Sequence, residues 1–355
     1  MRRFIIPSLK EAAQADRRCP YCHSMTGHLH QRRNQSVIDT RLASLRKLRL
    51  QCRSCLRTWT CQPEGIKAHF QRSQRVRALN VLLYALGLSY AAVAHVVTAL
   101  GAPESKASSY RDLVGSYDQA RRLHQRGRRK VRVAGLDGTG QRLAQPGAPH
   151  SEGLLFVVDF SDGQLLEVEL LDEADAAGVA ALVKDLQARY GIEMFVTDEH
   201  TTYPQDITPE RHLLCTTHFK KAKLRRVREL RAAARTERMK CDLDELERLL
   251  REVPDDGQQR AKAIYRRQPR VRRPARGKPA SVGSRLKQLA REVYEKWERV
   301  WQQTNNATER AIGECLKIRS KTMRGFKVKG HIIGFVKLTS WMRQSESAIS
   351  LGELL

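Results

Sequence analysis

Three apolar runs in close succession constrain this chain more than anything else in it. Residues 131–140 read V-R-V-A-G-L-D-G-T-G, a short β-rich run that ends at Asp137 with glycines on both sides. Residues 154–160 (L-L-F-V-V-D-F) and 164–170 (Q-L-L-E-V-E-L) follow, joined by Ser161-Asp162-Gly163. An Asp-Gly turn between two such runs is a strong hairpin signal, so three consecutive antiparallel strands are expected. Residues 173–190 then place Ala177, Val179, Leu182, Val183 and Leu186 on one helical face. Residues 192–197 (I-E-M-F-V-T) read as a buried strand ending at Asp198, and 212–215 (H-L-L-C) as a further strand leading into Thr216-Thr217-His218.

The segment before this sheet divides into two modules. In residues 1–64, two C-x-x-C pairs, Cys19/Cys22 and Cys52/Cys55, are separated by 29 residues. Four thiolates close a tetrahedral Zn²⁺ site, and the alternating run 46–51 (R-K-L-R-L-Q) suits a β-ribbon between the knuckles. His23, His28 and His30 are then polar ribbon residues, since four cysteines saturate the metal. So small a module would draw much of its folding free energy from structural Zn²⁺. Cys61, Cys215, Cys241 and Cys315 are scattered and read as small hydrophobes.

Residues 65–128 are helical. Val76, Leu79, Val81, Leu82, Leu83 and Leu86 form one apolar face, Gly87 breaks the helix, and Ser89 caps a second run over 90–100. Gly101-Ala102-Pro103 turns the chain into a third helix, from residue 104 or 105 to 113, carrying Lys106, Ser109 and Arg111. Helix, turn, helix with a polar last element is the layout of a DNA reader.

Charge narrows the partner. With 65 Lys and Arg against 38 Asp and Glu, the chain carries a formal net charge of +27. Such a surplus repels itself when folded and points to a polyanion, most simply DNA or RNA. No 18-residue apolar run exists, and the opening M-R-R-F-I-I-P is too short for a secretory core, so no membrane partner and a cytoplasmic, nucleoid-associated location are expected. Much of the surplus lies after the sheet. Lys220, Lys221, Arg225 and Arg226 crowd a helical stretch, and residues 266–278 form a Pro-punctuated cationic loop. Leu286, Leu289, Val293, Trp297 and Val300 mark another helix, making about 219–302 a helical insertion in the sheet domain. Three antiparallel strands, a crossover helix and more strands describe an α/β sheet of the RNase H type.

In residues 304–327 (T-N-N-A-T-E-R-A-I-G-E-C-L-K-I-R-S-K-T-M-R-G-F-K), an Asn pair caps a helix with Glu309 and Arg310 in its first turn. Lys317, Arg319 and Lys321 follow, and a closing helix spans about 332–342. In-line attack at phosphorus is served by two Mg²⁺ ions held by carboxylates from separate rigid elements. Asp137 at or just past a strand end, Asp198 at another and Glu309 on a late helix meet that need. Asp159 and Glu199 are alternative carboxylates. Glu314 is another, but it lies about 140° around the helix from Glu309.

The order C-P-Y-C, L-Q-C-R-S-C-L-R-T-W, D-G-T, F-V-T-D-E-H-T-T-Y and N-N-A-T-E-R, followed by K-I-R-S-K-T-M-R-G-F, resembles the DDE transposases of bacterial insertion sequences over residues 19–342. The resemblance implies an RNase H-like catalytic domain over 129–345 that uses Mg²⁺ or Mn²⁺ on Asp137, Asp198 and Glu309. It implies cutting at element ends, joining of the freed 3′-hydroxyl to target double-stranded DNA, and a homodimer or larger assembly. His218 and Arg310 would support the site, and Lys106, Ser109, Arg111, Lys220, Lys221, Arg225, Arg226, Lys317, Arg319 and Lys321 would bind DNA. The competing readings are a non-catalytic DNA-binding regulator and an RNase H-fold nuclease.

Overall fold

The computed structural model describes residues 3–9, 18–61, 63–67, 70–126, 129–144, 151–198, 203, 207–208, 211–268, 280–301, 305–321, 326–344 and 348–355. Glu199 and nearly all of the cationic loop after Gln268 lie outside the described residues. The chain forms two compact units. One comprises Met1–Gly127, Arg142–Ser151 and Gly313–Leu355; the other comprises Arg128–Gln141 and Glu152–Ile312. The last 43 residues therefore group with the N-terminal segment Met1–Gly127, a return that chain order alone does not announce.

The first unit begins with β1 (Phe4–Ile5) and a three-stranded antiparallel ribbon of β2 (Gly27–Ser36), β3 (Ser44–Cys52) and β4 (Thr58–Cys61). The register pairs Gly27 with Cys52, which brings the residues just before β2 beside the turn after β3. Both C-x-x-C segments close the same way. His23 N–H donates to Cys19 O at 2.9 Å and Leu56 N–H to Cys52 O at 3.0 Å. His23 and Leu56, each following a second cysteine, take left-handed φ values of 59° and 61°.

Three helices follow: α1 (Gln74–Ala85), α2 (Tyr90–Ala99) and α3 (Lys106–Arg126). Ser73 and Ser89 cap the first two by accepting from Val76 and Ala92 N–H, and Gly87 turns between them at φ 113°. Helix α3 runs well past residue 113, because Leu113, Tyr117 and Ala120 continue its buried face. An ionic knot holds the bundle together: Arg72 and Arg77 both reach Asp112, and Asn80 donates to Asp112 and Glu104.

The second unit holds a six-stranded mixed sheet. Strands β5 (Val133–Gln141), β6 (Glu152–Asp159) and β7 (Leu165–Glu169) are antiparallel neighbours, as the hairpin pattern requires. Helix α4 (Ala176–Tyr190) crosses back to β8 (Met194–Thr197), which lies parallel to β5, and β9 (His212–Cys215) extends the sheet. Asp175 caps α4 and Gly191 ends it at φ 66°. Val179, Val183 and Leu186 of α4 pack against Ala134, Leu136, Leu155 and Phe195 in one apolar core. Strand β5 does not stop at or just past Asp137, where the sequence places its end, but runs on to Gln141. Asp137 sits mid-strand opposite Phe156.

Helices α5 (Thr216–Ala233), α6 (Glu237–Glu252), α7 (Gly257–Arg267) and α8 (Val282–Lys296) form the insertion, with their own core around Leu230, Leu246, Ile264 and Leu289. The chain rejoins the sheet at β10 (Val300–Trp301), parallel to β9, and α9 (Asn306–Ile312) lies against β5 and β6. After a π-helical turn (Gly313–Lys317), α10 (Lys329–Gln344) packs on α3 in the first unit, and β11 (Ile349–Ser350) pairs with β1. Among the described residues, no helix is long and apolar enough to cross a membrane.

The docking of α9 depends on one missing side chain. A Cβ at Gly135 would collide with Thr308 Oγ1 and Asn305 Oδ1. Gly135→Ala is expected to destabilise the second unit by about 1–3 kcal/mol, read as a lowered denaturation midpoint.

Candidate functional site

Register places the first two carboxylates. Gly135 on β5 pairs in parallel with Val196 on β8. Asp137 and Asp198 each lie two residues beyond that pair, near enough for the Asp198 charge to act on Asp137. Asp198 directly follows the last residue of β8.

Helix α9 brings the third near Asp137. Asn305 fixes its start: Nδ2 donates to Leu136 O at 3.2 Å, and its main-chain N–H donates to Cys215 Sγ at 3.3 Å. Thr308 donates to Asn305 Oδ1 at 2.6 Å. Glu309, in the first turn, then meets His218 Nε2 at 3.3 Å from the first turn of α5. The two alternative carboxylates within the described residues have other partners. Glu314 pairs with Arg343 at 2.6 Å. Asp159 accepts from Ser161 and pairs with Arg129 at 2.7 Å, as a turn residue does.

A fourth carboxylate lies near Asp137. Glu173 precedes α4, accepts from the buried Tyr203 hydroxyl, and lies where a Cβ on Gly138 would be, 2.5 Å from Glu173 Oε2. Burial lifts the Asp137 pKa to about 6, with Glu173, Asp198 and Glu309 adding to the rise and His218 opposing it. His218 is raised to about 9, first by the neighbouring Cys215 sulfur and then by Glu309 and Asp137, against the cost of burial. At neutral pH it is an imidazolium beside carboxylates.

A cleft of about 940 Å³ opens from Asp198 and His218 along α5, lined further by Lys220, Lys221, Leu224, Arg225 and Arg228. Lys221 and Arg225 are exposed, while Lys220 donates to Arg251 O at 2.8 Å and Arg226 pairs with Glu292 at 2.5 Å. Arg310 is exposed beside Glu309, and Lys106, Arg111, Lys317 and Lys321 are exposed in the other unit. Two residues expected to touch DNA are interior instead. Ser109 is 2% exposed and donates to Ser105 O, and Arg319 is 6% exposed, over the Tyr84 ring at 4.3 Å and donating to Gly87 O. Their polar atoms close helix ends and turns, which spacing alone does not distinguish from an outward face.

In the first unit, Cys19, Cys22, Cys52 and Cys55 bring their sulfurs within 4.8 Å of one another. Cys19–Cys55 and Cys22–Cys52 are each 3.6 Å apart. Four thiolates at ~2.3 Å from a tetrahedral ion stand about 3.8 Å apart, so the quartet can hold structural zinc. His23, His28 and His30 are not part of it. Among the described residues it is the only group of three or more Cys, His, Asp or Glu so tightly clustered.

Compared with known proteins, the chain matches no family and no curated protein.

Two measurements test the site. Zinc held by the quartet predicts about one Zn²⁺ per chain by metal analysis, lost in Cys52→Ser, with chelator unfolding the ribbon. The raised Asp137 pKa makes the folded state hold a proton that the unfolded chain has released between about pH 4 and 6, so its contribution to stability falls as pH rises through that window. Asp137→Asn is therefore expected to gain stability over the parent by roughly 2–3 kcal/mol more at pH 7 than at pH 4, compared by denaturant titration.

Proposed function

We propose that the second unit is an RNase H-like catalytic domain, and that the protein is a DDE-type transposase, cleaving DNA and transferring a strand. The observation that carries this reading is the convergence of Asp137, Asp198 and Glu309 from a strand, a strand end and a helix, with Asp198 lining a cationic cleft. The residues fit a divalent-ion site: hard oxygen donors on separate rigid elements, with like-charge repulsion that already drives Asp137 toward protonation. At least one pair among these carboxylates stands more than 4.8 Å apart. A site built to span two ions about 3.5–4 Å apart does not require them closer.

Magnesium or manganese, when bound, would activate the attacking oxygen and stabilise the leaving one. The chain's own groups do the rest. Lys221, Arg225 and Arg228 supply positive charge along the cleft for a phosphodiester backbone. The His218 imidazolium offsets part of the carboxylate charge and steadies Glu309. Arg310, exposed next to Glu309, is available to a phosphate. The exposed Lys106 and Arg111 of α3, and the ribbon around the cysteine quartet, offer further DNA-binding surface. Element ends and target duplex are the DNA partners in this reading, held by a homodimer or larger assembly.

The test is a joining assay with a pre-cut DNA end, a plasmid target and Mg²⁺ or Mn²⁺. The parent is expected to give joined product, and Asp137→Asn, Asp198→Asn and Glu309→Gln each to lower the rate by at least about a hundredfold, since each loses charge stabilisation worth several kcal/mol. Degradation without joined product would identify a nuclease; tight DNA binding with no metal-dependent chemistry would identify a regulator.

A further inference from the structure

Strand β8 ends in Thr197, which is inaccessible to solvent and immediately precedes Asp198. Its hydroxyl donates to the main-chain carbonyl oxygen of Asp198 at 2.7 Å. A hydroxyl has a single hydrogen, so toward its other neighbour it can only accept. That neighbour is His212 Nε2, at 2.6 Å. His212, on β9, is likewise fully buried. Its Nδ1 faces the Arg299 guanidinium, whose Nε also donates to the His212 main-chain carbonyl at 3.1 Å.

A guanidinium offers donors only. Nδ1 is therefore the bare nitrogen and Nε2 carries the hydrogen. The direction of every link is fixed: Arg299 to His212, His212 to Thr197, Thr197 to the peptide carbonyl of Asp198. The groups facing the imidazole agree with a neutral ring. They are Arg299, Lys296 and the edge of Tyr203, whose ring centroid is 6.4 Å away. Burial first, then the two cations, depress the His212 pKa to about 3.

Arg299 lies in the turn between α8 and β10, where the helical insertion ends and the chain rejoins the sheet. We infer that Arg299, His212 and Thr197 are positioning residues that set the aim of Asp198 and make it depend on how the insertion's exit is seated. The chain grips the peptide unit at the point where the backbone leaves the sheet, so losing a link frees the Asp198 main chain to turn. This rests on the proposed role of Asp198 as a ligand to a divalent ion. It adds that the insertion helps to build the metal site as well as to extend the cleft.

The experiment uses the full chain and Mn²⁺ alone as probe, with affinity read from the free-ion signal in a titration. Asp198→Asn defines the ion that Asp198 holds. Thr197→Val, which keeps shape and removes the hydroxyl, and Arg299→Met are each expected to weaken that binding by about tenfold or more, the usual cost of losing a group that orients a ligand. Thr197→Ser, which keeps the hydroxyl, should bind as the parent does. Nitrogen NMR of the His212 ring should show hydrogen on Nε2 in the parent and in Thr197→Ser, and a mixture of tautomers in Arg299→Met. If Thr197→Val does not fold, Arg299→Met, whose side chain is partly exposed, carries the affinity test. Parent-like Mn²⁺ binding by Thr197→Val and Arg299→Met, with Asp198→Asn impaired, overturns the positioning role alone. Hydrogen on Nδ1 in the parent overturns the polarity of the chain. Parent-like binding by Asp198→Asn overturns the metal site, and this inference with it.

Discussion

The second unit turns on one close approach: the start of α9 lies directly on β5 because Gly135 has no side chain. Without that space, Asn305 cannot reach the carbonyl of Leu136 while Thr308 closes back on it. With it, a helix more than a hundred residues beyond β8 in sequence is seated against the sheet, and the first-turn residue Glu309 meets His218. The long insertion between β9 and β10 is tolerated because it has a core of its own, and because both of its ends return to neighbouring parallel strands. Chain length separates the carboxylates; the sheet brings them together.

That convergence is electrostatically unfavourable by itself. Burial and the carboxylates near Asp137 raise its proton affinity, and the His218 cation relieves the cost only in part. A folded protein usually blunts such repulsion with an arginine, as Glu167 and Glu292 are blunted elsewhere in this unit. Here arginines and lysines line the cleft that Asp198 also lines. Such an arrangement suits a metal ion at the carboxylates and phosphates along the cleft.

Much of the architecture was legible because local chemistry and tertiary packing agreed. The H-L-L-C strand came out at its sequence limits, and Ser89 and the Asp-Gly turn did what their side chains predict. The C-x-x-C pairs met as a quartet because cysteine spacing encodes the knuckle directly. The misses have physical reasons. The run ending at Asp137 reads as a strand end, yet β5 continues to Gln141, and its glycines are room for α9 on one face and Glu173 on the other. Glu173 itself looked like an ordinary acidic helix start. Arg319 followed a basic pattern but stacks on Tyr84, since a planar cation packs on a ring as well as it meets a phosphate. Nothing in the sequence told that Gly313–Leu355 returns to the first unit, because a helix's partner is set by shape rather than by composition.

The two sites differ in how much the fold must do for them. The cysteine quartet is nearly self-assembling: two short knuckles with the same left-handed closure, His23 and Leu56, held in register by the β2–β3 ribbon. The carboxylate cluster has no such local code. It needs the parallel register of β5 and β8, a glycine-sized gap, a capped helix from far along the chain, and a directed hydrogen-bond chain behind Asp198. A cluster of that kind is sensitive to changes well away from its carboxylates, because their placement rests on residues in other elements. Motif spacing can nominate such residues. Only the packing shows what holds them in place.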